Sequence, residues 1–373
     1  MELINATRLQ AAYTMGMEPS GRELLVVAIK GTFRLPATPQ ESARLLDEQQ
    51  PLVMADIFHG EPGFSAPRYE VDFAPRKHAC DILLNASAYA PDGHPAERVP
   101  VGVRIGSWQK IFNAVGPRIW QSGLTGVSAS APQPFVQQAI HYGVAFGGCD
   151  LRHEDPAQHA AYMPNPVGIG FHQHLKPEWI DGAPLPTTEE LNRPITDPRG
   201  AYAPMALGPI GRHWAARAPF AGTYDDTWLA DHFPFLPPDF DERYYQAAPA
   251  DQQLQLPVGG QEVTLLNLTP DGRRSFTLPG FEAPVWIFPK TGGKEEYRAT
   301  LDTVMIEPDA ECYTLTWRLC RPLKKSLYEI SQILVGRQGE DWWKRREEVA
   351  FYVSPDLIDI LEAHEAEQAG GKA

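Results

Sequence analysis

Arg212, His213, Arg217, Asp225 and Asp226 lie together in the run Leu207-Gly-Pro-Ile-Gly-Arg-His-Trp-Ala-Ala-Arg-Ala-Pro-Phe-Ala-Gly-Thr-Tyr-Asp-Asp-Thr-Trp. Their types suit a hydrolase of carbohydrate or peptide substrates, with a carboxylate as general base and an arginine steadying developing negative charge. Direction argues against it. Adjacent residues on an extended chain project to opposite sides, so Asp225 and Asp226 do not face one substrate together. The simpler expectation is that one aspartate caps a turn or helix, that Arg212 or Arg217 pairs with a nearby Asp, and that Trp214 or Trp228 packs over glycines.

Other reactive groups fail on spacing. His153-Glu154, His159, His172, His174 and His213 have the ligand types for zinc or iron, yet no His-Glu-x-x-His occurs and Pro156 works against a helix that would align them. His172 and His174 would share a face on a strand, but nothing supplies a third ligand. Pro164-Asn-Pro-Val-Gly-Ile-Gly-Phe lacks the Gly-Lys-Ser/Thr of a phosphate loop and the third glycine of a dinucleotide fingerprint, so it reads as a turn and a short strand. No Gly-x-Ser-x-Gly elbow is present. Cys80, Cys149, Cys312 and Cys320 are widely spaced and fit reduced, largely buried thiols better than a metal site or disulfide framework. No catalytic residue, cofactor or metal is expected.

The chain has 373 residues, with 36 prolines and 31 glycines scattered without a repeat, the composition of many short elements and turns. Its net charge of −14, from 47 acidic and 33 basic residues, disfavours nucleic acid and leaves solubility or a basic protein partner as the meaning of the charge. An acid near the N-terminus and the lack of a long apolar run point to a cytoplasmic protein with no membrane insertion.

These candidates must be held by β structure. Residues 24–35, 52–58, 69–73, 79–89 and 99–105 read as strands, with a turn at Pro91-Asp92-Gly93 linking the last two and a short helix near Gln40–Asp47. Trp108–Asn113 and Arg118–Trp120 read as a hairpin around Val-Gly-Pro. Residues 1–150 thus form an N-terminal antiparallel β region, and 151–255 a loop-rich Gly/Pro/Trp segment packed on the sheets. In 256–353 a second β region follows, with a hairpin at Thr269-Pro-Asp-Gly and strands at 285–288, 297–306 and 312–319. Tyr313, Leu315, Trp317 and Leu319 alternate there with Thr314, Thr316 and Arg318, a half-buried pattern. Residues 323–335 fit helix or strand. Ser354-Pro355-Asp356 opens a C-terminal helix and tail, 354–373. The fold class expected is mainly β, an antiparallel sandwich or barrel-like sheets with long ordered loops.

Ordered blocks carry a resemblance: Leu25-Val-Val-Ala-Ile-Lys-Gly-Thr-Phe, Gly147-Gly-Cys-Asp, Asn165-Pro-Val-Gly-Ile-Gly-Phe, Gly208-Pro-Ile-Gly-Arg-His-Trp-Ala-Ala-Arg, Ala221-Gly-Thr-Tyr-Asp-Asp-Thr-Trp, Leu236-Pro-Pro-Asp-Phe-Asp, Ala247-Ala-Pro-Ala-Asp-Gln-Gln and Leu301-Asp-Thr-Val-Met-Ile-Glu-Pro-Asp. In this order they resemble the bacterial domain-of-unknown-function family 2169. The resemblance implies an adaptor or chaperone of type VI secretion that binds a secreted effector, or its PAAR-like tip, and assists loading onto the VgrG spike, without catalysis. Asn165, Gly168, Gly170, Gly208, Gly211, Arg212, Trp214, Arg217, Gly222, Tyr224, Asp225, Trp228 and Asp239 then form a structural signature.

Overall fold

Leu25, Val27, Ile29 and Phe33 alternate along the strand Glu23–Arg34 and enter the main core. Their β-branched and aromatic side chains fill a pleated, buried surface well. A computed structural model describes residues 1–346 except Thr125 and Pro257, and this strand lies one in from an end of the path of its largest sheet. On one side it pairs antiparallel with Gln10–Met17 through a tight turn in which Gly21 N–H donates to Glu18 O. On the other it pairs along its whole length with Cys312–Pro322. The latter is the arm of a hairpin with Glu295–Glu307, closed by a short turn that leaves Glu311 left-handed at φ 52°.

Glu295–Glu307 serves two neighbours on its far edge. Its first half pairs with Ala283–Pro289, which continues through Ile330–Val335 to the parallel strand Glu2–Asn5. Beyond a bulge the segment Thr303–Ile306 instead pairs, in parallel, with the strand Ala79–Leu84. Asp302 is the residue skipped in the register, between Leu301↔Trp317 and Thr303↔Thr316. An extra residue of this kind bends a strand and increases its twist. The two ends of the path meet, with Tyr13 Oη donating to Met1 O at 3.3 Å, and the sheet is nearly closed and barrel-like.

A second, antiparallel sheet runs in the order Thr188–Glu189, Trp108–Val115, Arg98–Ile105, Glu262–Leu266, Arg273–Thr277. Val99, Val101, Val103, Phe112, Val263, Leu265 and Phe276 pack into the same core as Leu25, Tyr313 and Trp317. Strands from residues 1–150 and from residues beyond 256 therefore pair within both sheets.

Several local expectations change. Trp108–Val115 pairs with Arg98–Ile105 across a tight turn, and Trp120–Gly123 pairs with Gly126–Ala129, so no hairpin forms around Val115-Gly-Pro. Ala86–Tyr89 pairs with Gln137–Ile140, a distant segment, and the turn at Pro91 joins no hairpin. Near Gln40–Asp47 there is no helix; Arg44–Leu45 pairs with Phe33–Arg34. In 52–58 only Ile57–Phe58 is strand, against Pro67–Tyr69. Residues 323–335 resolve as strand over Ile330–Val335. These differences share a cause: long-range pairing chose partners that local turn signals could not reveal. The helix expected from Ser354 lies outside the described residues, while residues 340–346 are helical.

Candidate functional site

The face of the barrel-like sheet turned away from the core is polar, and it is buried. Lys30, Thr32, Asp81, Thr314, Thr316 and Arg318 are each less than a tenth exposed. The alternation in Cys312–Pro322 is real, but its polar phase meets protein instead of water. Chain from the 51–77 region and the 246–252 region lies across it, and each cation finds a carboxylate there. Lys30 pairs with Asp72 at 3.1 Å, Lys77 with Asp81 at 2.6 Å, and Arg318 grips Asp302 through two 2.7 Å bonds. The bulge at Asp302 thus places a carboxylate under Arg318. Burial alone disfavours the charged guanidinium, yet Asp302 and the other carboxylates hold it above its usual range. Asp81 also accepts from Gln246 Nε2 and Ala247 N, each at 2.8 Å, tying the loop to the sheet. The remaining cavity, about 20 Å³, has room for a single water and not for a substrate.

Beside this layer sits the reactive stretch. Arg217 uses all five of its N–H donors: Nε and Nη2 donate to Tyr244 O, Nη1 to Ile210 O, and Nη1 and Nη2 to the two oxygens of Glu70. Arg212 donates to Asp56 through Nε at 2.8 Å and Nη2 at 3.2 Å, and its Nη2 also lies 2.8 Å from Glu70. Burial opposes both charges of the Arg212–Asp56 pair, but their mutual bond prevails, raising the guanidinium pKa and lowering that of the carboxyl. The acidic partners come from residues 56 and 70, so the arginines pair with a distant segment and not with the neighbouring Asp225 or Asp226. Arg212, His213 and Arg217 line a cavity of about 150 Å³ together with Asp56 and Glu70.

Asp225 and Asp226 stand elsewhere. Asp225 Oδ1 accepts the Trp228 N–H at 2.8 Å and caps the short helix Asp226–Asp231, whose first residue, Asp226, is exposed. Neither lines the cavity of Arg212 and His213, and among the described residues no ion pair joins them to it. The hydrolase constellation is not assembled.

The other signature residues shape loops. Asn165 Nδ2 donates to Tyr142 O at 2.9 Å and Phe146 O at 3.0 Å, clasping the loop that leads into the short parallel pair Phe146–Gly147 and Ile169–Gly170. A Cβ on Gly168 would lie 2.4 Å from Ala145 O; one on Gly170, whose φ is +91°, would meet Pro186 at 2.7 Å. Trp214 is fully buried, edge-on to Tyr142, over Gly211, where a Cβ would be 2.4 Å from its indole nitrogen. Gly208 is unlike these, with nothing nearer than 3.9 Å. At φ +81°, Gly222 lets the chain turn so that Thr223 donates from its amide and hydroxyl to the two oxygens of Asp239 at 2.9 and 2.8 Å. Tyr224 and Phe233 pack edge-on against Trp228, whose indole N–H donates to Phe235 O.

The histidines do not build a metal centre: His153 stacks loosely on His174, His172 meets Arg152 at 2.6 Å, and the described residues contain no metal-capable cluster. His172 and His174 lie outside any strand. All four cysteines are free; Cys80 is fully buried, and burial pushes its thiol pKa up, whereas Cys149 is exposed.

Residue types missed the polar layer. Its only trace is phase: Lys30 and Thr32 interrupt an otherwise apolar strand, as Thr314, Thr316 and Arg318 do on its neighbour. Such a phase reads equally well as a wet face.

No helix among the described residues is long and apolar enough to cross a membrane. Neither the curated proteins nor the solved structures contain a match to the chain. Residues 20–318 match the family described as an uncharacterized protein conserved in bacteria, DUF2169, and with that span, which holds both sheets' central strands and the Arg212–Arg217 brace, the chain belongs to this family.

Proposed function

We propose that this protein is a non-catalytic adaptor or chaperone of type VI secretion, holding a toxic effector or its PAAR-like tip in the cytoplasm and assisting its loading onto the VgrG spike. One observation carries the reading from the structural side. The two arginines of the reactive run are bound to the protein's own carboxylates, and Arg217 spends even its last donor inside the protein. A group so satisfied has no hydrogen left to offer a substrate, and what it supplies is rigidity. Rigid, proline-stiffened loops suit a binding scaffold because they lose little entropy on association.

The role itself is what the resemblance of the ordered sequence blocks implies, and the family match supports only the resemblance. Co-expression with a toxin or tip protein encoded beside the gene is the test. The adaptor reading expects higher soluble yield of that protein and co-purification with it. Failure to co-purify with any neighbouring effector, tip or spike protein overturns it.

A further inference from the structure

Two features of the segment 219–242, within the loop-rich region 151–255, bear on a partner. The segment contains six carboxylates and no lysine or arginine. It also turns large apolar side chains outward: Tyr224, Leu229, Phe233 and Phe235 are 54, 60, 62 and 44 per cent exposed. Tyr224 and Phe233 flank the Trp228 indole with ring centroids 4.8 and 5.7 Å away, so the aromatic groups form one cluster. The cluster is seated firmly, because Trp228 is tied to Phe235 O and the Phe235 ring lies over Gly21, in the turn between the first two strands of the sheet path.

Around this apolar centre the unpaired charge is acidic, while Asp241 and Glu242 at the end of the segment are taken up by Arg243 and Arg76. Asp225 accepts only a backbone N–H, and no cation among the described residues pairs with Asp226 or Asp231. Aromatic anchors on a rigid base with a polar rim are the composition of interface hot spots. The unpaired carboxylates Asp225, Asp226 and Asp231 on that rim favour a basic partner and speed its approach.

We infer that this cluster is a docking surface for a partner polypeptide whose contact segment combines aliphatic or aromatic side chains with flanking lysine or arginine. The inference rests on the adaptor reading and deepens it by naming the surface and the chemistry of the cargo segment. A second copy of this chain is a poor occupant, because two such acidic rims would face each other.

The test uses the full chain and a synthetic amphipathic peptide of leucine and lysine, titrated by calorimetry at physiological salt. Binding is expected, and the Leu229→Ser/Phe233→Ser variant should weaken it about tenfold or more. That variant keeps every charge, so loose attraction to an acidic protein would survive it. Both side chains are exposed, and an unchanged denaturation midpoint shows that the fold is intact. Asp226→Asn/Asp231→Asn should weaken binding by several-fold and flatten its salt dependence. Equal binding of a leucine and glutamate peptide, or of the leucine and lysine peptide to the serine variant, overturns the inference, as does self-association that the serine variant abolishes. Loss of peptide binding while an effector still co-purifies rejects this surface alone; peptide binding with no effector captured rejects the adaptor reading.

Discussion

Arg217 Nη2 lies 2.6 Å from Glu70 Oε1, with both side chains less than a tenth exposed and the two residues 147 positions apart. The pair joins the loop-rich region 151–255 to the segment that also supplies Asp72 to the buried layer. Removing Arg217 takes the donor from the Ile210 and Tyr244 carbonyls and leaves the buried Glu70 with Arg212 alone. Stripping a buried charge of its main partner is costly. Arg217→Met should therefore destabilise the protein by about 3–5 kcal/mol, read from urea denaturation. Adding Glu70→Gln should recover part of that loss. Full stability in the single variant would show that the brace is dispensable.

Gly168 and Gly208 belong to the same sequence signature but occupy different surroundings. Gly168→Ala forces a methyl against Ala145 O and the Asn165 amide and should cost about 1–3 kcal/mol. In the ordinary space around Gly208 the same change should stay within about 0.5 kcal/mol. Thermal midpoints of the two variants decide this, and equal losses would contradict the difference in packing.

Stability should fall in acid through a histidine pair. The His59 and His141 rings stack with centroids 4.5 Å apart, and His141 Nδ1 accepts the Gly143 N–H. Burial first, then the charge of His141 and Arg68, lowers the His59 pKa from 6.5 to about 4; burial lowers that of His141. The unfolded chain thus binds more protons below pH 6.5, so the stabilisation is present above that value and is lost as pH falls towards 4. His59 is itself exposed to solvent, which moderates the loss. In His59→Gln the slope of denaturation midpoint against pH should be shallower over this window; an unaltered slope would assign the acid sensitivity elsewhere.

Asp225 separates structure from catalysis. As the cap of Asp226–Asp231, its replacement by Ala should cost about 1 kcal/mol and speed hydrogen exchange at the Trp228 amide. Asn retains the accepting oxygen, so Asp225→Asn should be nearly neutral. A hydrolase centred on this carboxylate predicts the opposite ranking of effects: folding kept, with turnover abolished by Asn.

Much of the fold is legible because strands announce themselves locally. The hairpin Glu262–Leu266 with Arg273–Thr277 follows from Pro-Asp-Gly between two alternating runs, and Glu23–Arg34 from its density of β-branched residues. Glu2–Asn5 and Gln10–Met17 carry weaker patterns, since edge strands owe their state to the neighbour they pair with. The helix cap at Asp225 was legible in the same local way, because it needs only a side chain and an amide three residues on.

By itself the sequence determined the β class, the turn chemistry and the local cap, all of which depend on spacing within a few residues. Only the tertiary structure decided that Arg212 and Arg217 meet Asp56 and Glu70 rather than the adjacent aspartates, that Lys30, Lys77 and Arg318 lie in a dry layer, and that Tyr224, Leu229 and Phe233 face water. Pairing and burial depend on which distant segment covers a face, and period two along a strand is the same whether that face is covered or wet.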